Sequence, residues 1–190
     1  QHTEATIADT DVAVGRDLLV HALTQAPVVS VSMPVTLITG SSGSGNNTGI
    51  AGGLSVTKFD RDTIAQVASG TVTMTGNGDV TVEGESRSET VAVVVGGSGG
   101  SQSDTAIAGS VNVTIADDNT FAAIGAGATV LNAKDVAVTA HDNAISVTVA
   151  GAAADGNKTG VGAAFDIGIY NDTVESRIDG TVTATSDVTV

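Results

Sequence analysis

The feature that most constrains the fold is a short phrase that occurs four times along the chain at nearly regular intervals. Each copy begins with threonine and ends with Ile or Val, and the leading threonines lie 60, 57 and 53 residues apart. The copies are Thr3–Ile7, Thr63–Val67, Thr120–Ile124 and Thr173–Ile178, the last being one residue longer. Such a repeat predicts an array of equivalent units that bury a shared core by stacking on one another.

Two further phrases accompany the first in a fixed order. An aspartate phrase occurs at Asp17–Val20, Asp79–Val82, Asp135–Val138 and Asp187–Val190, and a threonine-glycine phrase at Thr48–Gly52, Thr105–Gly109 and Thr159–Ala163. We therefore predict a single repetitive segment over residues 1–190. Its units lie at about 1–59, 60–116 and 117–170, followed by a partial unit at 171–190. Neither end has the features of a capping unit, and the chain is expected to be part of a longer array.

Within each unit, apolar and polar residues alternate with a period of two. Val111, Val113 and Ile115 alternate with Asn112 and Thr114, and the same pattern occurs at Ile145–Val149 and Phe165–Ile169. This pattern predicts strands whose apolar residues lie on a buried face. Residues 91–95 are apolar throughout, which predicts burial on both faces, and residues 117–119 are predicted to form a turn between short strands.

The composition favours a narrow core. Aromatic residues make up 2% of the chain and Trp is absent, so the core must consist of Val, Ile and Ala. A parallel β-helix built from repeats of about 55 residues fits this composition, with nearly three coils of about 18 to 22 residues in each unit. The alternative is a string of small antiparallel β units, although a unit of this size is marginal as an independent domain.

The net charge of −14 repels phosphate backbones, so we expect no nucleic-acid partner. The chain has no cysteine, which excludes a disulfide framework. No apolar run approaches the roughly 20 residues that a membrane-spanning helix requires.

The repeat cadence resembles that of giant exported proteins of Gram-negative bacteria, the filamentous-haemagglutinin-like adhesins and the related leukotoxin-type repeat proteins. The resemblance is carried by Asn119–Ile124, Thr129–Val130, Asp135–Ala140 and Ala150–Ala152. It implies an extracellular location on the bacterial cell surface and a role in adhesion or cell–cell contact. The expected partners are therefore a second copy of the chain or a cell-surface receptor.

The sequence contains no recurrent set of residues for catalysis or for binding an organic cofactor, and we do not expect an enzyme. A carbohydrate-binding or carbohydrate-processing β-helix remains an alternative, although the shortage of aromatic residues counts against sugar stacking. Acidic residues recur just before the first phrase, and carboxylate oxygens are ligands that Ca²⁺ prefers. The sequence therefore gives a candidate calcium site at Asp60, Asp62, Asp117, Asp118 and Asp172.

Overall fold

The computed structural model describes residues 1–32, 48–99 and 104–190 in full, together with the backbone of residues 35–39. The described chain consists of β-strands and their connections. The strands are β1 (His2–Ile7), β2 (Val12–Val14), β3 (Leu18–Ser32), β4 (Val35–Thr39), β5 (Thr48–Met74), β6 (Val80–Gly99), β7 (Thr105–Ala133), β8 (Val136–Asp155), β9 (Thr159–Ile178), β10 (Thr181–Ala184) and β11 (Val188–Thr189).

These strands form two sheets that pack face to face. Sheet A contains β1, β2, β4, β5, β7, β9 and β10, and sheet B contains β3, β6, β8 and β11. All neighbours within a sheet are parallel except β4, which runs antiparallel to the first residues of β5. The prediction of a parallel β-helix is confirmed, and the alternative of small antiparallel units is wrong.

Each coil of the solenoid consists of one long strand in sheet B followed by one long strand in sheet A. β6 leads into β7, and β8 leads into β9, with a short connection each time. Strands of 20 to 29 residues are about 66 to 96 Å long at the usual rise per residue. The expectation of several short strands and nearly three coils per repeat is therefore wrong: one repeat is one wide coil.

The repeated phrases stack directly on one another. Thr3 pairs with Thr63 and Thr63 with Thr120, while Thr48, Thr105 and Thr159 form a second column. In the last copy Thr173 lies beside Asn119, and the extra residue brings Ile178 back into register with Ile124. The repeat in the sequence is thus the coil period of the solenoid.

The interior near one end of the long strands is apolar. Side chains from both sheets pack against one another there, and along each strand they alternate with residues that point outwards. The cluster includes Val67, Val72, Val80, Val82, Ile124, Val130, Val136 and Val138. This is the hydrophobic core of the molecule.

Towards the other end of the strands, the polarity of the two faces is inverted. Asn112 and Thr114 are fully buried between the sheets, whereas Val111, Val113 and Ile115 point outwards. Phe165 is 63% exposed, and Ile145, Val147 and Val149 are likewise exposed. The predicted alternation is confirmed, but the prediction that the apolar face is buried is wrong here. Burial of residues 91–95 on both faces is also wrong, since Val95 is exposed.

The close approach of the two sheets explains this inversion. A Cβ atom added to Gly84 would lie 2.8 Å from the backbone oxygen of Phe121, and one added to Gly96 would lie 2.3 Å from that of Gly109. At these contacts there is no room for a large side chain, so mostly small and polar residues fill this part of the interior, and most of the Val and Ile residues lie outside.

The aspartate phrase forms a ladder at the turn beside the apolar core. The backbone N–H of Asp79 donates to Oδ1 of Asp17 at 3.0 Å, that of Asp135 to Asp79 at 3.3 Å, and that of Asp187 to Asp135 at 3.0 Å. Hydrogen bonds from Lys134, from the backbone of Asp187 and from Ser186 lower the pKa of Asp135 to about 2. Each aspartate thus ties its coil to the next one.

Candidate functional site

The five aspartates of the predicted calcium site lie in the middle of long strands, not in turns. The prediction of a turn at residues 117–119 is therefore wrong, because these residues are within β7. Asp60, Asp62 and Asp117 are on the outer face of sheet A, where Asp117 accepts a hydrogen bond from Asn171 at 2.8 Å. Asp118 and Asp172 are on the inner face, where they are neighbours in register. The structure thus separates the predicted set into two groups.

Asp118 is the centre of a buried ionic group. Arg61, one coil away in register, donates from Nε to Oδ1 of Asp118 at 2.7 Å. The side chains of Arg61 and Asp118 are only 4% and 1% exposed. Ser88, from the opposite sheet, donates to Oδ2 of Asp118 at 3.3 Å. Both carboxylate oxygens of Asp118 are therefore held in place across the two sheets.

Asp142 in β8 completes a group of three carboxylates. One carboxylate oxygen from each of Asp118, Asp142 and Asp172 lies within 4.8 Å of the other two. Sequence analysis missed Asp142. Its position is an even number of residues after Val136 and Val138, which are both buried, so strand parity would have placed it on the inner face.

The three carboxylates of this group repel one another. Burial raises the pKa of Asp142, and the negative charges of Asp118 and Asp172 raise it further. Burial also raises the pKa of Asp172, with Asp118 as the second cause, whereas Arg61 lowers it. Three carboxylates face one guanidinium, so with all groups ionised the formal excess is two negative charges.

Two polar atoms of this group have no hydrogen-bond partner within the described part of the chain. They are Nη1 of Arg61 and Oδ1 of Asp142. Ser86 is 1% exposed and is the register neighbour of Asp142, and a hydrogen bond from its hydroxyl to that carboxylate opposes the rise of the Asp142 pKa.

A cavity of about 190 Å³ opens beside the group. Tyr170, the only tyrosine of the chain, borders it and forms a hydrogen bond with Ser146 at 2.6 Å. The lining residues are Arg61, Ser88, Thr90, Ala116, Asp118, Ala144, Ile145, Ser146, Tyr170 and Asp172. The polar groups of this lining are oxygen atoms and one guanidinium. They do not include the sulfur or imidazole ligands that favour zinc.

A second acidic group lies on the outer face of sheet B. His21, Glu83 and Glu85 approach one another there, with His21 Nε2 at 3.7 Å from Glu85 Oε2. Arg87 already pairs with Glu85. This group is partly exposed and partly neutralised. His21 lies one coil before Glu83 and Glu85, which is why sequence analysis did not bring it together with them.

Two kinds of surface remain open for contact with other molecules. Among the described strands, β9 pairs with β7 and with no other strand, so its second edge is unpaired over its 20 residues. The outer faces of both sheets carry columns of exposed apolar residues, such as Ile107, Val161 and Ile167 on sheet A and Val29 and Val147 on sheet B.

Comparison of the chain with protein-family models, with curated proteins and with solved structures finds no match. Within the part of the chain that the structure describes, there is no helix that could cross a lipid bilayer.

Proposed function

We propose that this chain is a structural and adhesive repeat module of a long exported bacterial surface protein. In that protein the following repeat would pair with the edge of β9, and we expect the isolated segment to associate with its own kind by adding coils to the same edge. The observation that carries this proposal is the stacking of successive coils in register: β9 continues the inner and outer columns of β7 without interruption from Thr159 to Ile178.

The size of this edge sets the strength of the contact. In a parallel strand alternate residues point their backbone groups to each side, so 20 residues offer about ten N–H and ten C=O groups to a new strand. Each hydrogen bond contributes about 0.5 to 1.5 kcal/mol, so pairing along the whole strand contributes a large favourable free energy of association before the entropy cost is subtracted. A long unpaired edge is a template for pairing with another chain, and a new coil would have to accommodate the charge of Asp172 on the inner face of β9.

The apolar outer faces contribute less to self-association than the edge of β9 does. The apolar columns of β5, β7 and β9 extend over about nine residues each, so this area of sheet A is roughly 400 Å². A stable protein interface buries about 800 Å² on each partner. Lateral contact between the faces of two such molecules is therefore weaker than edge addition, and it grows as coils are added.

Export and surface location are supported by the resemblance of the repeat cadence and by the composition. The chain combines an acidic net charge with an absence of cysteine and a high content of Thr, Ser and Gly. The adhesive part of the proposal rests on the exposed apolar columns, since contiguous patches of several hundred Å² mark sites of contact. Their partner is a second copy or a receptor on another cell.

Electron microscopy and sedimentation of the purified chain test self-association. We expect rods of uniform width at high protein concentration. Ala164→Lys places a charge on the inner face of the β9 edge, where a new coil must stack, and should leave single particles. Ala163→Lys places the same charge on the outer face and should retain the rods while preventing their lateral bundling.

A wild-type chain that stays monodisperse at all concentrations would refute the self-association. Equal effects of the two lysine substitutions would refute the role of the β9 edge. An adhesive role is tested separately, by binding of the fluorescently labelled chain to intact cells, with Ala163→Lys and Ala164→Lys as the comparison pair.

A further inference from the structure

We propose that the outer face of sheet A, over residues 48–58, 105–115 and 159–169, packs against the same face of a second copy of this chain. This inference rests on the proposed self-association and specifies its lateral contact. The two copies would be related by a two-fold axis, so that each contributes the same residues. Such an interface closes at two copies, whereas addition at the edge of β9 has no fixed limit.

The face consists of columns of side chains that run across the coils. The small column contains Gly52, Gly109 and Ala163. A column of large apolar residues lies on each side of it, with Leu54, Val111 and Phe165 on one side and Ile50, Ile107 and Val161 on the other. The small column and the column of Phe165 together line an open groove of about 360 Å³.

Among the described residues, nothing requires glycine on the floor of this groove. A Cβ atom added to Gly52 would meet no heavy atom within 4 Å, and one added to Gly109 would meet only the backbone oxygen of Ala163 at 3.9 Å. Neither glycine has a positive φ angle. Glycine weakens the interior of a strand and often marks the close approach of another molecule, so the open floor points to a contact from outside.

The face is complementary to itself about one axis. A two-fold axis along the direction of coil stacking, between the small column and the column of Phe165, makes the strands of the two copies antiparallel. Gly52 then faces Leu54 of the second copy, and Ala163 faces Phe165 in the same way. An axis parallel to the strands would instead place groove on groove. Large residues facing small ones fill the space between packed layers, which selects the first axis.

The chemistry of the face suits a copy of itself. Lys58 is the only charged residue among the described outward-facing residues of these three segments, whereas the whole chain has a net charge of −14. The apolar side chains are well exposed, with Leu54 at 66% and Ile167 at 48%. Two copies repel each other elsewhere, so burial of this face would hold them together. Added salt should strengthen the contact, because it screens that repulsion.

The area of the face sets the strength of the contact. Three coils offer roughly 400 Å² on each copy, which is about half of the roughly 800 Å² per partner in a stable interface. The present segment should therefore form a weak and reversible dimer. Each further coil adds about 140 Å², so arrays of about six coils would reach the area of a stable interface.

Sedimentation equilibrium of Ala164→Lys isolates this contact, because that substitution blocks growth at the edge of β9. We expect a monomer that converts to a dimer, and not to larger species, as the protein concentration rises. In this background, Ala163→Phe fills the groove and Phe165→Ala removes the side chain that enters it. Each should weaken dimerisation about tenfold or more, since each change occurs twice in the dimer.

The double variant Ala163→Phe with Phe165→Ala exchanges groove and ridge. Because the two-fold axis sets residue 163 of one copy against residue 165 of the other, the double variant should recover the dimerisation that each single change weakens. Val147→Ala shortens an exposed side chain on the outer face of sheet B and is the control for the other face. It should leave the dimer unchanged.

Two results would overturn the proposal. One is an Ala164→Lys chain that stays monomeric at all concentrations, with and without added salt. The other is a double variant that dimerises no better than the two single variants. An equal loss in Val147→Ala and Phe165→Ala would also count against it, because sheet B would then belong to the contact. Rod formation by the wild type reports on the edge of β9, so failure of the edge contact and failure of the face contact are observed separately.

Discussion

Replacing Arg61 with methionine removes the positive member of the buried pair and keeps a long, flexible side chain in its place. Asp118 would then remain between the sheets, with a side chain that is 1% exposed and a hydrogen bond from Ser88 as its main support. The carboxylates of Asp142 and Asp172 are close by and add repulsion.

The size of the effect follows from burial. Removing one member of a buried ion pair typically destabilises a protein by about 3 to 5 kcal/mol, because an uncompensated charge is left behind. Exposed pairs contribute about 0 to 1 kcal/mol. Arg61 and Asp118 are joined at 2.7 Å out of contact with solvent, so we expect the larger value. Such a loss is a large part of the roughly 5 to 15 kcal/mol that stabilises a typical protein domain.

Urea unfolding monitored by circular dichroism, in buffer containing a chelator, measures the change. Lys58→Met is the matched control, since Lys58 pairs with Asp117 at 3.8 Å on the outer face of the same strand and is well exposed. The double variant Arg61→Met with Asp118→Leu should recover most of the loss, because it removes the stranded charge. If Arg61→Met costs no more than Lys58→Met, the reasoning from burial is refuted.

Three further predictions test other parts of the fold. Ile124→Ala should lower the free energy of unfolding by about 2 to 5 kcal/mol because Ile124 is fully buried, whereas Ile167→Ala on the outer face should cost far less, and equal urea midpoints would contradict the assignment of faces. The pKa of Asp135 is about 2 in the folded protein and 3.8 in a free side chain, so its stabilisation is present above pH 3.8 and lost as the pH falls through 2. Asp135→Asn should therefore flatten the acid-unfolding curve between these values, and an unchanged curve would exclude this role. Gly96→Ala should destabilise the fold, since its Cβ would lie 2.3 Å from a backbone oxygen, whereas Gly151→Ala, whose Cβ meets Val95 at 3.8 Å, should be neutral or slightly stabilising in thermal unfolding.

The sequence predicted the stacking of the coils because identical phrases mark identical positions. The pairing of Thr63 with Thr120 and of Val80 with Val136 follows directly from the repeat. The length of the strands was missed. Residues such as Asp117 and Asp118 favour turns in isolation, and here they stay extended because each has a neighbour in register on the adjoining coil.

The assignment of faces could not be derived from one strand alone. Val113 alternates with Asn112 and Thr114 with a period of two whichever face of the strand is buried. Which face is buried depends on the distance to the other sheet. That distance is set by close contacts such as Gly96 on Gly109. The same limitation hid Asp142, since its meeting with Asp118 requires both the facing sheet and the correct side of each strand.

The wide coil has a consequence for the reach of the molecule. One coil uses between 52 and 62 residues, as the spacing of Asp17, Asp79, Asp135 and Asp187 shows. It lengthens the solenoid by one strand spacing of about 4.8 Å, so a height of 100 Å would require roughly 21 coils and more than 1,000 residues. A solenoid with coils of about 20 residues would extend nearly three times as far for the same chain length. This architecture is therefore poorly suited to projecting a distant tip from a cell. It presents a ribbon several nanometres across. Each added repeat raises the height of that ribbon by only about 4.8 Å, but it adds a strip of surface as long as its strands.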